Sequence, residues 1–249
     1  MSKNLGSITS KESLAKVFSL IQDRIPANKA RIYEAGGGSV SWLPATIMRG
    51  TDVTVVDIDE GQLQRNKYAA TKILGDIQTH AFPEGSFDLA VCYNVVEHLT
   101  APDDAIRQFF HALVPGGLVF IGAPNPDSFS GWVTKMTPHW FHVLFYRHIL
   151  GYKNAGHPGH APFPTIFHPV VSPVALVKFC RDVGFNVLYF REYRGLMYDL
   201  LEEQRPFLGK LLNLTLKTAN ALVLWRKDLQ NGNYHIVLEK PLGIKDAVH

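Results

Sequence analysis

Four apolar runs restrict the fold of this chain more than any other feature: "ARIYEA" from residue 30, "DVTVVDID" from 52, "FDLAVCYN" from 87 and "LVFIGAPN" from 118. Each is rich in β-branched or large apolar residues and reads as a strand. A strand that is apolar without alternation is buried on both faces, which requires a parallel sheet covered by helices. Segments of helical pattern fall between the runs. "SVSWLPATIMR", "EGQLQRNKYA" and "DDAIRQFFHALV" read as helices, "KILGDI" as a short strand, and Pro115-Gly116-Gly117 as the stop after the third helix. Right-handed crossovers then bring the strand carboxyl ends to one side, where ligands bind.

An amphipathic helix precedes the first strand. Thr9 and Glu12 have capping-box spacing, Leu14, Val17, Phe18 and Ile21 share a face, and Pro26 ends the helix. After residue 126 the alternation breaks into about 45 residues rich in His, aromatic residues, Pro and Gly. It resumes at "SPVALVKFCRDVGF", where Ser172 is the cap, Pro173 the first helical residue and Gly184 the stop. "NVLYFREYR" and "NYHIVLEKP" are further strands. Between them, residues 196–230 read as mainly helical, with Leu208, Leu211, Leu212, Leu222 and Val223 on one face. Two insertions, about 126–168 and 196–230, thus leave strand ends on the ligand side, and together they are expected to form a cap over a single domain spanning 1–249. Long ordered insertions at such a place usually serve function.

The 249 residues suffice for one self-supporting core. A net charge of +3 without a dense basic run gives no reason to expect nucleic acid. Cys92 and Cys180 lie in apolar segments and fit a reducing cytoplasm. No apolar run reaches membrane-spanning length, and the N-terminus lacks the apolar core of a signal peptide. A cytoplasmic chain is expected, and nothing opposes a homodimer.

The chemistry begins at "YEAGGGSVSW", residues 33–42. Gly36, Gly37 and Gly38 let backbone approach a ligand closely, and they lie between a strand and a helix. Asp57 closes the next strand about twenty residues later, where a carboxylate can accept from two ribose hydroxyls. This much fits NAD or any other adenosine ligand. Position 41, where a dinucleotide fingerprint has its third glycine, is Ser41. Glu34 at the loop's edge would repel a pyrophosphate and attract a sulfonium with its α-amino group. Asp76, after the third strand, can accept from an adenine amino group or simply cap its own loop.

Taken together, these segments resemble class I S-adenosylmethionine-dependent methyltransferases of the small-molecule branch. "EAGGGS", "VVDID", "GDI", "FDLAVCYNVVEHL" and "LVPGGLVFIGAPNP" follow in the family's order. The resemblance covers residues 28–125 closely and 168–195 more loosely. It implies a Rossmann-like, mostly parallel seven-stranded sheet with helices on both faces and the last strand antiparallel. It implies S-adenosylmethionine as cofactor, held by Glu34, Ala35, Gly36, Gly38, Asp57, Ile58, Asp76, Ile77 and Asn94. Ile58 would pack on adenine, and Asn94 would line the methionine end through its backbone. "NVVEHL" is unlike the N-P-P-Y segment of enzymes that methylate base or amide nitrogens, which argues against DNA and protein-glutamine acceptors.

Methyl transfer to a hydroxyl needs alignment, exclusion of water and one base. Six of the eleven histidines lie in residues 139–168. His168, His139 and His142 are the candidate bases, while His98 reads as structural. A metal held by His157, His160 and His168 is the lesser alternative, since their spacing matches no compact ligand motif, and none is expected. Trp140, Phe141, Tyr146 and Phe167 would line the site of a small, fairly hydrophobic acceptor, methylated at oxygen in biosynthesis. The helical stretch 205–226 has the pattern of a surface helix that packs, lies on a membrane or meets a partner. A C- or N-methyltransferase, a cyclase or decarboxylase that uses the sulfonium only for charge, an NAD-dependent oxidoreductase and a non-catalytic S-adenosylmethionine-binding subunit stay open.

Overall fold

The computed structural model describes residues 9–26, 28–195, 201–203, 205–222 and 231–243. Seven strands form one sheet in the order β3-β2-β1-β4-β5-β7-β6. They are β1 (Arg31–Ala35), β2 (Asp52–Asp57), β3 (Thr71–Leu74), β4 (Phe87–Tyr93), β5 (Leu113–Pro124), β6 (Asn186–Tyr193) and β7 (Asn233–Glu239). The first five strands are parallel. β7 is antiparallel to β5 and to β6, as the sequence predicts for the last strand. β6 therefore runs with β5, and the insertions after β5 and β6 leave the same side of the sheet.

Both faces are covered. Helices α1 (Ser10–Arg24), α2 (Ala45–Met48) and α3 (Glu60–Arg65) lie on one. Val17, Ile21, Ile47 and Leu63 meet Ile32, Val53, Val55, Leu89 and Phe120 there. On the other face α4 (Pro102–Ala112) and α7 (Pro173–Val183) place Ile106, Phe109, Leu176 and Cys180 against Tyr33, Val56, Ala90, Cys92 and Ile121. Successive strand residues alternate between these cores, so none of the central strands needs a polar face. Cys92 and Cys180 are both buried and unbridged.

Most elements form where the pattern places them, including the Thr9–Glu12 capping box. Three boundaries move for local reasons. The helix expected over 39–49 is only Ala45–Met48, because Pro44 disfavours helical backbone at Leu43. Ser39–Leu43 is irregular instead, with the Ser41 hydroxyl accepting from the Leu43 amide at 3.1 Å. α3 stops at Arg65 because buried Asn66 uses its side chain elsewhere. Its amide donates to the Gly38 carbonyl at 2.7 Å, and its oxygen accepts from Tyr68 and Ala69. β5 begins at Leu113, so Pro115-Gly116-Gly117 lies inside the strand. At the start of α7, Ser172 occupies the cap position without a capping bond, and its hydroxyl donates to Asp127.

The first insertion carries α5 (Phe129–Met136) and α6 (His139–His148). Its return crosses the turn after β4, where the Ile166 and Phe167 amides donate to the Glu97 carbonyl at 2.9 and 3.1 Å. His98 Nδ1 holds the Pro164 carbonyl at 2.6 Å, a structural role like that read for it in the sequence. The second insertion contains α8 (Pro206–Leu222). Leu208 and Leu211 on its face are exposed; the side chain of Leu222 and all of Val223 lie outside the described residues. Among the described residues no helix is long and apolar enough to cross a membrane.

Candidate cofactor and acceptor site

The sheet changes direction of growth between β1 and β4, and a parallel sheet opens a crevice at such a point. The loops after these strands interlock there. Gly36 has φ +68°, and a Cβ on it would lie 2.6 Å from a Val95 methyl. Gly38 has φ +53°, and its Cβ would meet the Gln62 amide oxygen. Conformation favours glycine at both, and at Gly36 the space does so as well.

Glu34 anchors this loop rather than standing open at its edge. It is buried, and Ser41 and Tyr68 both donate to its carboxylate. Burial raises its pKa, against the lowering effect of these two bonds. The Tyr68 oxygen also lies 3.2 Å from the Gly37 carbonyl. Ser41, which the sequence sets against NAD, thus has a positive role in holding the carboxylate.

Asp57 takes the Gly38 amide at 2.9 Å on Oδ2 and the Asp59 amide at 2.8 Å on Oδ1. A carboxylate has about four acceptor positions, so each oxygen keeps one for a ribose hydroxyl. Burial raises the Asp57 pKa and the amide bonds oppose it. Beside it Ile58 is 77 % exposed, an apolar side chain of the size that an adenine ring would cover. Asn94, exposed and with φ +55°, turns the chain as it leaves β4, and its amide donates to Gly122.

Two of the expected cofactor residues contribute no side chain: Ala35 and Ile77 are buried in the core behind the crevice, leaving only backbone for a ligand. Asp76 is engaged by Gln78 through its amide at 2.8 Å and its side chain at 2.9 and 3.0 Å, so it caps its own turn. The remaining geometry fits an adenosyl group with a cationic tail: a close backbone loop, a carboxylate with acceptor positions left open, an exposed apolar platform and no basic group for a pyrophosphate among these residues.

The expected base and acceptor residues are spread through the first insertion. His168 caps a short turn, its Nδ1 accepting from the Val170 amide at 3.3 Å, which leaves Nε2 for chemistry. His142 Nε2 lies 2.9 Å from the Thr137 hydroxyl, whose own proton goes to the Val133 carbonyl. The histidine must donate there, so Nδ1 is its basic nitrogen. His139 is exposed at the start of α6. Phe167 adopts φ +50°, an uncommon conformation for a bulky residue, and Lys135 lies 5.7 Å from its ring centre. Tyr146 lines a cavity of about 470 Å³ with Tyr152, Lys153, Asn154 and His160. Trp140 and Phe141 are exposed on α6. No three metal-ligating side chains converge among the described residues.

Sequence reasoning missed a buried polar chain beside the crevice. Ser13 bonds His235 Nδ1 at 2.7 Å, and His235 Nε2 lies 3.3 Å from the Tyr93 hydroxyl. Trp42 stacks on Tyr93 with ring centres 4.3 Å apart. Gly122 makes room, since its Cβ would strike the Tyr93 ring at 2.4 Å. Burial lowers the His235 pKa to about 3. It also missed Glu97, a buried carboxyl raised by burial to about 8, whose Oε2 has no hydrogen-bond partner. "EHL" after a strand is the only local signal for it.

Comparison with known proteins bears on this site. Residues 33–121 match the methyltransferase domain family. Curated relatives include a ubiquinone biosynthesis O-methyltransferase of Leptothrix cholodnii, 27% identical over 186 residues. The match covers 67% of this chain and 66% of that protein. A protein of the same name from Idiomarina loihiensis is 26% identical over 170 residues, 64% of each chain. The chain thus spans just under two thirds of the length of these relatives. Among solved structures, an S-adenosylmethionine-dependent methyltransferase from Mesorhizobium loti superposes with TM-score 0.54 at 16% identity, covering 89% of this chain and 96% of that one. The cyclase SpnF does so with TM-score 0.55 at 15% identity, covering 97% and 86%. Residues 33–121 of this chain are a methyltransferase domain, carried on the class I S-adenosylmethionine-dependent methyltransferase fold.

Proposed function

We propose that the protein transfers a methyl group from S-adenosylmethionine to a hydroxyl of a small, fairly hydrophobic metabolite in a cytoplasmic biosynthetic reaction. The observation that carries this reading is Asp57 with two acceptor positions free, next to the exposed Ile58, at the switch point of the sheet. The names of the relatives support oxygen as the acceptor atom and biosynthesis as the setting.

In this reading Asp57 holds the ribose, Ile58 covers the adenine, and the backbone at Gly36, Gly38 and Asn94 lines the methionine end. Glu34 keeps the loop in place and supplies negative charge near the sulfonium. The bound cofactor supplies an activated methyl group, so the chain's own task is alignment, exclusion of water and removal of one proton. His168 is the base with the best claim. It closes the segment that Glu97 anchors beside Asn94, and its Nε2 is free. His142 and His139 are the alternatives. Phe167 and Tyr146 would meet the acceptor under a cap formed by the two insertions. The exposed Trp140 and Phe141 suit an external apolar partner better than an enclosed acceptor.

The test is calorimetric titration with S-adenosylmethionine, S-adenosylhomocysteine and NAD, then transfer of labelled methyl to a panel of hydroxylated aromatic and lipid-like acceptors. Binding of both adenosyl ligands without NAD, followed by labelled product, supports the reading. NAD binding alone would refute it. Adenosyl binding with a product that carries no label would instead favour a non-methylating enzyme on this fold.

A further inference from the structure

The outer surface of the insertions carries apolar side chains that the crevice does not use. On α6, Trp140, Phe141 and Leu144 stand at i, i+1 and i+4 and are exposed, while Val143, Phe145 and Tyr146 are half-buried. In α5, Trp132 and Met136 are four residues apart on one face, and both are more than half exposed. α8 repeats the pattern: Phe207, Leu208, Leu211 and Leu214 stand at i, i+1, i+4 and i+7 and are exposed together. Apolar residues at such spacing normally face a core. Here they face outward in both insertions, which leave the same side of the sheet. A monomer rarely exposes apolar surface on this scale without a partner for it.

The charge pattern selects the partner. Residues 128–181 contain no Asp or Glu, and neither do residues 204–227, in a chain that has 22 acidic residues. Between 128 and 168 the ionisable side chains other than Tyr and His are Lys135, Arg147 and Lys153, accompanied by six histidines. On α8, Lys210 and Lys217, seven residues apart, lie on one flank of the apolar stripe, and both are exposed. A second copy is a poor occupant. A two-fold contact sets a patch against itself, and the carboxylate packed on α8, Glu202, is already paired with Arg194 at 3.0 Å and is not free for a copy's lysines. Aromatic and aliphatic residues flanked by lysines, with an excess of positive charge, are what an anionic lipid interface takes up.

We propose that α5, α6 and α8 dock this protein on the surface of a bilayer containing anionic phospholipid, with the apolar stripes in the headgroup region and Lys210 and Lys217 on the phosphates. None of the described helices can span, so the association is peripheral. The inference does not depend on methyl transfer. It accounts for the exposed Trp140 and Phe141, and it would put the mouth of the crevice near a membrane-dissolved acceptor.

The test is sedimentation of the full chain with vesicles of phosphatidylcholine alone and of phosphatidylcholine with phosphatidylglycerol, at low and high salt. We expect partition into the mixed vesicles, reversed by salt. Replacing both lysines, Lys210→Glu with Lys217→Glu, should lower the partition coefficient roughly thirtyfold or more, at about fivefold per cation. Trp132→Ser with Met136→Ser should lower it roughly tenfold or more. Circular dichroism and S-adenosylmethionine binding should be unchanged in both, since none of these residues is in the crevice. Were a variant to misfold, the salt and lipid dependence of the wild type still decides. No sedimentation with either vesicle, or equal partition into both, overturns the proposal. So does a solution dimer that Trp132→Ser with Met136→Ser converts to monomer, which would assign the surface to a second copy. Failure to bind S-adenosylmethionine would overturn the methyltransferase reading and leave vesicle binding untouched.

Discussion

Tyr68 donates its phenol proton to Glu34 across the glycine loop, with the Gly37 carbonyl 3.2 Å from the same oxygen. This pair, from the segment after α3 and from β1, holds the loop in the shape that a cofactor meets. Tyr68→Phe leaves a buried carboxylate one donor short, at a cost of about 1–3 kcal/mol. The expected result is a lower melting temperature and S-adenosylmethionine affinity reduced about tenfold, read by scanning calorimetry and titration. Unchanged affinity would show that the loop keeps its shape without the phenol.

Much of the fold could be read from the chain because its central strands are apolar on both sides and admit only a covered parallel sheet. The crevice proposed for the cofactor could be placed for the same reason: Gly36, Gly38 and Asp57 are tied to strand ends. Tyr68 was not, because it reads as part of a helix until Asn66 diverts its side chain to the Gly38 carbonyl and ends α3. Neither was the Ser13–His235–Tyr93 chain, whose members come from α1, β7 and β4 and meet only when the sheet closes. Local pattern carries no information about such long-range polar contacts.

The two φ-positive glycines of the loop are predicted to differ. Gly36→Ala combines a strained backbone with a contact of 2.6 Å to the branched, partly buried Val95. Gly38→Ala meets the end of the Gln62 side chain, which can swing away. Gly36→Ala should lose S-adenosylmethionine binding by at least tenfold more than Gly38→Ala. Each should cost about 1 kcal/mol of stability from backbone conformation alone.

Asp57→Ala removes the partner of the Gly38 and Asp59 amides and, on the proposed reading, the acceptor for both ribose hydroxyls. A hydrogen bond to a charged group contributes about 1.5–3 kcal/mol, so affinity for S-adenosylmethionine should fall by two orders of magnitude or more. Asp57→Asn keeps one acceptor oxygen and should fall less. Equal affinity in all three proteins, measured by titration, would remove Asp57 from the site.

For the base, His168→Asn should lower kcat by about 10²–10⁴ while S-adenosylmethionine binding stays as it is. If the same loss follows His142→Asn instead, the proton is taken from the α5–α6 corner, where Nδ1 is the basic nitrogen.

The dependence of stability on pH follows from Glu97 and His235. Glu97 titrates near 8 in the fold, and its ordinary value is 4.5. The folded protein keeps a proton that the unfolded chain releases, so this contribution is full below 4.5 and is lost as pH rises to 8. His235 titrates near 3 in the fold against an ordinary 6.5. The unfolded chain takes up a proton that the fold refuses, so its contribution is full above 6.5 and is lost as pH falls to 3. Between 4.5 and 6.5 the two slopes oppose each other, each at most about 1.4 kcal/mol per pH unit. Melting temperature should therefore be flattest there and fall on both sides. Glu34 and Asp57, also raised by burial, contribute losses of the same sign as Glu97 as pH rises from their ordinary values. Glu97→Gln removes one ionisation and keeps the shape, so its melting temperature should gain on the wild type steadily from pH 5 to pH 8. His235→Gln should flatten the acid limb whatever its effect on absolute stability. Parallel curves for Glu97→Gln and wild type would mean that the Glu97 carboxyl reaches solvent, and that its unpaired Oε2 is hydrated rather than buried.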